Sequence, residues 1–273
     1  MKLVIAATAL CTGLVQAQAQ APQAPGRGMT QAAQPTGPVV HHPIPRTADG
    51  KPDLTGTWQS GGVSITGEAG APPIHPLPPI DAHPIKREPL AYKPEYDAKR
   101  KSLTTLDDPT LECLLPGVPR IQTEPMPLEI VQTPKEVVIL YESFRAWRRI
   151  PINAKLEHPD DLTPTWMGDS VGRWEGDTLV VDTVGFNDKT WIAGNGTIHS
   201  EKMHVLERYT LNDDGSMSWA ATVDDPVVLT KPYSTGAVFR APIDVRVEEY
   251  ECIENNPDPG HMKKAAELEK SKK

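Results

Sequence analysis

The segment that decides the fold runs from residue 168 to residue 186 and reads GDSVGRWEGDTLVVDTVGF. Its Gly176-Asp177 dipeptide lies between two strand-like runs and favours a tight two-residue hairpin turn. The segment therefore predicts antiparallel strands at 168–175 and 178–186. A two-residue loop also fixes the register, which on one face pairs Trp174 with Leu179, Gly172 with Val181 and Ser170 with Thr183. We expect this mostly apolar face to lie in the core.

The opposite face of this hairpin carries two carboxylates and an arginine. Asp169, Asp182 and Arg173 fall on it because successive residues of a strand point to opposite sides of a sheet. Two interpretations stay open at this point. The three side chains form a solvated ladder of ion pairs, or they are the polar lining of a binding cavity.

Further short runs of Val, Ile, Thr, Tyr and Trp follow from Arg120 onward, separated by turn residues. They predict strands near 128–133, 136–142, 148–153, 168–175, 178–186, 204–211, 216–224, 235–240 and 245–252. The pattern indicates an all-β fold, an antiparallel meander. Closure into an up-and-down barrel would remove the unpaired edges of an open sheet. A two-sheet sandwich is the second architecture that the pattern allows.

The half of the chain before the meander is rich in proline and is predicted to be mostly irregular. Regular structure is expected there only for a strand around 54–60 and a short helix around 94–102. The Gln, Ala, Pro and Gly residues of 20–45 cannot bury enough apolar surface to offset the entropy of ordering them. The predicted organisation is a tether at 20–45, a proline-rich wrapping segment at 46–127, a β domain at 128–256 and a charged tail at 257–273.

Residues 1–19 have the three parts of a bacterial secretory signal peptide. Lys2 is positively charged, the stretch from Leu3 to Val15 is uncharged, and Ala17-Gln18-Ala19 offers small residues to a signal peptidase. We expect cleavage after Ala19 and a periplasmic or secreted mature protein. A lipoprotein signal at Cys11 is disfavoured by the bulky Leu10 before it. A membrane anchor needs about 20 apolar residues, which is more than this run contains.

Cleavage would leave Cys113 and Cys252 as the two cysteines of the mature chain. An oxidising compartment favours a disulfide between them. A bridge that closes so long a loop would stabilise the fold by about 4–5 kcal/mol in the chain-entropy account. The alternative is two buried thiols.

The composition bears on the classes of partner. The chain has 36 Asp and Glu residues against 28 Lys and Arg, a formal net charge of −8. Nucleic-acid binding needs a basic surface, and no basic run interleaved with aromatic residues occurs, so no nucleic-acid partner is expected. The eight histidines lack HExxH spacing, and paired CxxC or EF-hand patterns are absent. No metal, nucleotide or other cofactor is predicted.

A second tight turn is predicted at Asp214-Gly215. A two-residue loop there pairs Glu207 with Thr222 and Val205 with Asp224, so Glu207 and Asp224 lie diagonally on one face. Two such carboxylates raise the pKa of at least one of them if water is excluded, and a raised pKa suits acid–base catalysis near neutral pH. An outward polar face is the plainer interpretation.

The other face of the same hairpin would carry His204 and Arg208 beside Trp219. If this face points into the barrel, an arginine and a histidine among apolar residues would suit a carboxylate or phenolate ligand. The loop 187–203 adds Trp191 and His199 to the candidates. A loop of this length is either a mobile lid over a site or an ordered surface loop with Trp191 packed on the barrel.

Two resemblances follow from motifs. Asp53-Leu54-Thr55-Gly56-Thr57-Trp58 resembles the Gly-x-Trp opening of the first lipocalin strand, whose tryptophan closes one end of the barrel. The run PTWMGDSVGRWEGDTLVVDTVGFNDKTW from Pro164 to Trp191, with the later HSEKMHVLERY and TVDDP, is similar to a family of exported bacterial β proteins. That similarity extends over about Pro52 to Asn256. It implies export and a β fold, and it carries no activity to this chain.

These observations lead to a ranked set of functional hypotheses. The first is an exported, lipocalin-like barrel that binds a small apolar or aromatic molecule, with cofactor-free lyase, isomerase or hydrolase chemistry as its catalytic form. The second is a non-catalytic interaction protein of the cell envelope, and the third is a metal-dependent hydrolase. The candidate proton-transfer residues are His199, His204, Glu207 and Asp224. The candidate ligand contacts are Tyr141, Trp166, Trp191 and Arg208.

Overall fold

The computed structural model describes residues 41–60, 90–153, 155–241 and 245–254, together with 260 and 264. The predicted signal peptide, most of the predicted tether, residues 61–89 of the wrapping segment and most of the predicted tail lie outside the described residues. The helix and strands are β1 Gly56–Ser60, α1 Pro94–Ser102, β2 Leu128–Gln132, β3 Glu136–Tyr141, β4 Trp147–Pro151, β5 Asp169–Glu175, β6 Thr178–Val184, β7 His204–Leu211, β8 Met217–Asp224 and β9 Tyr233–Arg240.

In the described part of the chain, nine strands form one antiparallel sheet in the order β4-β3-β2-β1-β9-β8-β7-β6-β5. Strand β1 joins the two halves of the meander, because it pairs with β2 on one side and with β9 on the other. The sheet curls into a nearly closed barrel, which confirms the predicted all-β meander. The opening lies between β4 and β5, the strands at the two ends of the order.

Strands β4 and β5 approach each other closely at one end of this opening. Asn153 N–H donates to the carbonyl of Gly172 over 2.7 Å, and Ile152 forms an isolated parallel bridge with the same glycine. A Cβ atom at Gly172 would lie only 2.9 Å from Cγ2 of Ile150, so a glycine is required at this contact. Near the first residues of both strands the opening remains as a groove.

The β5–β6 hairpin has the predicted register. Its loop is Gly176-Asp177, and the pairs Trp174–Leu179, Gly172–Val181 and Ser170–Thr183 are all present. Leu179, Val181 and Thr183 are at most 1% exposed, which confirms that this face lies in the core. On the other face, the ladder of ion pairs predicted between Arg173 and the two aspartates is not formed. Arg173 donates to Glu175 and not to Asp169 or Asp182.

The β7–β8 hairpin differs from the prediction by one residue. Asn212 N–H donates to the carbonyl of Ser216 over 2.9 Å, so the loop has three residues and ends on Gly215 at φ +78°. Glu207 therefore pairs with Ala221 and not with Thr222. A shift of one residue moves every side chain of one strand relative to the other strand's faces.

The C-terminal segment 245–252 was predicted as a ninth strand of the meander, and this prediction is wrong. Residues 245–250 are irregular, because the position beside β9 is occupied by β1. The segment lies against the β3–β4 turn instead, where Glu251 pairs with Arg145 at 2.6 Å and Tyr250 meets the ring of Phe144 edge-on. The predicted disulfide is present between Cys113 and Cys252, 139 residues apart in sequence.

The other predicted elements before the meander agree with the structure. The helix at 94–102 is confirmed, and the first strand begins two residues later than predicted. Trp58 is 6% exposed, and its indole N–H donates to the carbonyl of Leu54. Within the described residues, no helix combines the length and the apolar character that crossing a membrane demands.

Candidate functional site

The barrel interior contains a buried ion pair between Arg148 of β4 and Glu207 of β7. The guanidinium donates to both carboxylate oxygens, over 2.6 and 3.1 Å, and the two side chains are 2% and 0% exposed. The same guanidinium donates to Ser170 Oγ over 2.9 Å and to Thr183 Oγ1 over 3.1 Å. These side chains join β4, β5, β6 and β7 across the interior, on both sides of the opening.

Four more side chains complete what we call the interior network. Tyr209 O–H and Trp219 Nε1–H donate to Oε1 of Glu207, over 2.9 and 3.1 Å. Gln122 donates to the hydroxyl oxygens of Tyr141 and Tyr209. Burial raises the pKa of Tyr141 to about 12 and raises that of Tyr209 as well, so both phenols stay protonated at neutral pH.

The interior network is suited to a structural role. A buried charge pair is retained in a fold only when its geometry is good and its remaining hydrogen bonds are made. Glu207 meets this requirement, with donors from Arg148, Tyr209 and Trp219. One donor of the pair is not used, because Nε of Arg148 is buried and has no hydrogen-bond partner among the described residues.

A groove of about 510 Å³ lies at the barrel opening, and we call it the seam groove. It runs between residues 145–151 on the β4 side and residues 165–170 on the β5 side. Its apolar lining consists of Leu115, Ala146, Trp147, Pro151, Trp166 and Met167. Its charged lining consists of Arg145, Arg148, Arg149 and Asp169. Trp147 is 63% exposed, unusually high for a tryptophan.

On the outer face of β5 to β7, four side chains form what we call the acid–histidine chain. His158, in the connection from β4 to β5, places Nδ1 at 2.7 Å from Asp169 and Nε2 at 3.1 Å from Asp182. His204 Nε2 lies 2.7 Å from the second oxygen of Asp182. Asp169 thus belongs both to this chain and to the seam groove.

The chain perturbs the titration of its members. Burial opposes the charge on Asp182, but the hydrogen bonds and charges of His204 and His158 outweigh it and lower the pKa of this carboxyl. The hydrogen bond to Asp182 raises the pKa of His204, against a smaller opposing effect of burial. The ionised carboxylate and the protonated imidazole therefore stabilise each other.

The predicted carboxylate pair is not formed. Glu207 points into the barrel, whereas Asp224 is exposed on the outer face, where it pairs across the sheet with His204. The prediction that His204 and Arg208 face inward is wrong for the same reason, the three-residue loop. Arg208 lies outside and donates to Glu175 over 2.8 Å.

The loop 187–203 is ordered and packed on the barrel, as the second of the two interpretations expected. Trp191 is 5% exposed and His199 is 4% exposed. His199 contacts Thr190 Oγ1 at 2.6 Å and the carbonyl of Ser200 at 3.0 Å, and burial lowers its pKa. Asp225 holds the end of the loop by accepting hydrogen bonds from the backbone and the hydroxyl of Ser200.

The predicted site residues are therefore distributed over separate parts of the molecule. Of the four candidate ligand contacts, Trp166 lines the seam groove, and Tyr141 belongs to the interior network. Sequence reasoning missed Arg148 and His158, whereas a place in a cavity lining was one of the two interpretations left open for Asp169. Among the described residues, no group of three or more His, Cys, Asp or Glu side chains is arranged to hold a metal ion.

Comparison with known proteins gives no further guide to the site. The chain matches no protein-family model, and it has no significant match among curated proteins.

Proposed function

We propose that this protein binds a small aromatic molecule in the seam groove. The observation that carries the proposal is a groove of about 510 Å³ at the barrel opening, with tryptophans on both of its sides. Small-molecule sites have volumes of about 300–1,000 Å³ and combine apolar walls with a few polar groups. The seam groove has this size and this lining.

The walls suit a planar ligand. Trp147 comes from the start of β4 and Trp166 from the connection before β5, and Met167 follows it in the same lining. Aromatic pairs add about 0.5–1.5 kcal/mol beyond the area that they bury, and the thioether of methionine adapts to ring edges. The solvent exposure of Trp147 leaves its ring available to such a ligand.

The barrel interior is a poorer candidate for the ligand. Arg148 and Glu207 cross the interior, and Trp219 and Tyr209 fill the space beside them. Trp219 is 0% exposed and Tyr209 is 1% exposed. Of the four predicted ligand contacts, the proposed site therefore includes only Trp166. Tyr141, Trp191 and Arg208 lie outside the groove lining.

Fluorescence titration with phenylnaphthylamine, a neutral aromatic probe, tests this proposal. We expect the double variant W147A/W166A to weaken binding by about tenfold, because each ring contributes about 0.5–1.5 kcal/mol. The matched control is V131A, which removes a 41% exposed apolar side chain outside the groove lining and should leave the dissociation constant unchanged. Equal binding by the wild type and the double variant would reject the groove as the site.

We also propose that the protein acts outside the cytoplasm after removal of residues 1–19. The disulfide between Cys113 and Cys252 supports this proposal, because such bridges persist in oxidising compartments. N-terminal sequencing of protein secreted by a bacterial host should read Gln-Ala-Pro-Gln from Gln20. A mature chain that begins at Met1 would contradict the proposal.

A further inference from the structure

We infer that the seam groove selects aromatic ligands that carry a negative charge, and that His158 adjusts this selectivity with pH. The inference rests on the proposed function, since it concerns the ligand class and the regulation of the same groove. It follows from the charges that line the groove and from the contacts that each of them makes.

The groove lining has three arginines and one carboxylate. Each arginine is paired with a carboxylate outside the lining, the pairs being Arg145–Glu251, Arg148–Glu207 and Arg149–Glu136. The carboxylate of the lining, Asp169, is the exception, because its partner is a histidine. The net charge of the groove therefore depends on whether His158 is protonated.

The two arginines at the surface of the groove keep donors for a ligand. The side chains of Arg145 and Arg149 are 58% and 64% exposed, so their pairs leave guanidinium N–H groups open to solvent. Guanidinium groups bind carboxylates and sulfonates through charge-assisted hydrogen bonds and also stack on aromatic rings. An aromatic anion can use both of these interactions between Trp147 and Trp166.

His158 lies between two carboxylates, with one ring nitrogen facing each. An imidazolium donates from both nitrogens, to Asp169 over 2.7 Å and to Asp182 over 3.1 Å. A neutral imidazole has one donor, so its other nitrogen presents a lone pair to a carboxylate oxygen. The observed geometry is thus complete only when the ring is charged.

Other charged groups face this histidine from several elements. Besides Asp169 of β5 and Asp182 of β6, His204 of β7 shares Asp182, and Asp224 of β8 lies across the sheet from His204. On its own segment, the neighbours of His158 are the Lys155–Glu157 ion pair and the exposed Asp160 and Asp161. The nearest contacts of the ring are therefore the carboxylates of Asp169 and Asp182.

The direction of the pH effect follows from this arrangement. When His158 is protonated it neutralises Asp169, so an anion meets the open guanidinium N–H groups of Arg145 and Arg149 without an uncompensated carboxylate beside them. At higher pH, when the ring of His158 is neutral, the charge of Asp169 is no longer compensated. One additional negative charge several ångströms from the ligand weakens the binding of an anion by about fivefold at the intermediate dielectric of a protein surface.

The test compares two probes of related shape, anilinonaphthalene sulfonate, which is anionic, and phenylnaphthylamine, which is neutral. For the wild type, we expect the dissociation constant of the sulfonate to rise about fivefold between about pH 5.5 and about pH 8. The neutral probe should change by less than about twofold. In H158N the sulfonate should bind weakly at both pH values, and in D169N it should bind tightly at both.

A matched control is H41N, because His41 forms a histidine–aspartate pair with Asp213 outside the groove lining. This variant should keep the full pH dependence. If H158N and D169N retain the wild-type pH dependence while phenylnaphthylamine still binds in a manner that needs Trp147 and Trp166, the inference is wrong and the proposed function stands. If neither probe depends on the two tryptophans, both are wrong.

A direct measurement covers the case in which a variant does not fold. Nitrogen-15 spectra of the histidine rings in the wild-type protein should show His158 protonated on both nitrogens at about pH 5.5 and on one nitrogen at about pH 8. A ring that keeps one protonation state across this range would overturn the inference without any variant.

Discussion

Two polar clusters of this barrel use the same kinds of contact in opposite surroundings. The interior network joins Arg148 to Glu207 in a dry core, where both side chains are almost fully buried. The acid–histidine chain joins His158 and His204 to Asp182 on the outer face, where the side chain of His204 is 42% exposed. Both clusters link neighbouring strands by charge-assisted hydrogen bonds.

The difference between the clusters is whether the charge can change. Removing a charge from the dry network leaves the opposite charge without solvent or partner, so the pair is kept in one state. In the outer chain, water can replace a lost hydrogen bond, and histidine titrates near neutral pH. Burial therefore makes one cluster a structural connection and leaves the other able to respond to its surroundings.

The strongest test of this contrast is the substitution Glu207→Gln. It leaves Arg148 charged in the interior, and we expect the free energy of unfolding to fall by about 3–5 kcal/mol. Urea denaturation of the purified protein measures the change. The double variant R148M/E207M removes both charges and should recover more than half of the loss, because apolar side chains can replace a buried pair. If the free energy of unfolding of E207Q falls by less than about 1 kcal/mol, water must reach the interior ion pair and screen its charges.

A smaller effect is expected for Asp182→Asn. Because the pKa of His204 is raised in the folded protein, its contribution to the free energy of unfolding is complete below the ordinary histidine pKa of about 6.5. This contribution is lost as the pH rises through the raised pKa of the folded state. Because the pKa of Asp182 is lowered in the folded protein, its contribution to the free energy of unfolding is complete above the ordinary aspartate pKa of about 3.9. This contribution is lost as the pH falls through the lowered pKa of the folded state. The chain therefore stabilises the fold most between these limits.

Urea denaturation of wild type and D182N over a pH series checks this window. Near pH 5.5 the difference in unfolding free energy should be about 1 kcal/mol, allowing for solvent screening, and it should shrink above about pH 8. D224N is the comparison variant: Asp224 faces His204 across the sheet and raises its pKa through charge alone, with no described hydrogen bond to its ring, so its effect should be smaller. A difference that is constant with pH would contradict the proposed titration.

The smallest effect is expected for Arg208→Ala. Arg208 shares Glu175 with Arg173 on the exposed outer face, and water replaces this interaction readily. Thermal unfolding should show a shift of less than about 2 °C. A larger shift would place Arg208 in a connected network comparable with the interior one.

The two long hairpins show which parts of the fold are legible in sequence. Gly176-Asp177 specifies a two-residue loop, and every predicted pair of β5 with β6 is present. Asp214-Gly215 resembles the same signal, but Gly215 ends a three-residue loop and Asn212 bonds to Ser216. Both turns place glycine at positive φ, so the dipeptide alone does not distinguish their lengths.

The one additional residue in the β7–β8 loop explains why the predicted site is not formed. It placed Glu207 inside and His204 outside, and so separated the predicted acid–base group. Burial of Arg148 was partly legible, because it shares strand parity with the apolar Ile150. The contact of His158 with Asp169 was not, since an irregular connection gives no periodic signal for where its side chains lie.

The place of β1 between β2 and β9 also governs the order in which the molecule can be built. Gln59 of β1 pairs with Arg240 of β9, so residues from opposite ends of the described chain must meet before the sheet is continuous. Such distant pairings are slow to form. Synthesis must deliver β9 before this junction can exist, and Cys252 follows β9 in the chain. The barrel is consequently completed only after all nine of the described strands have been made.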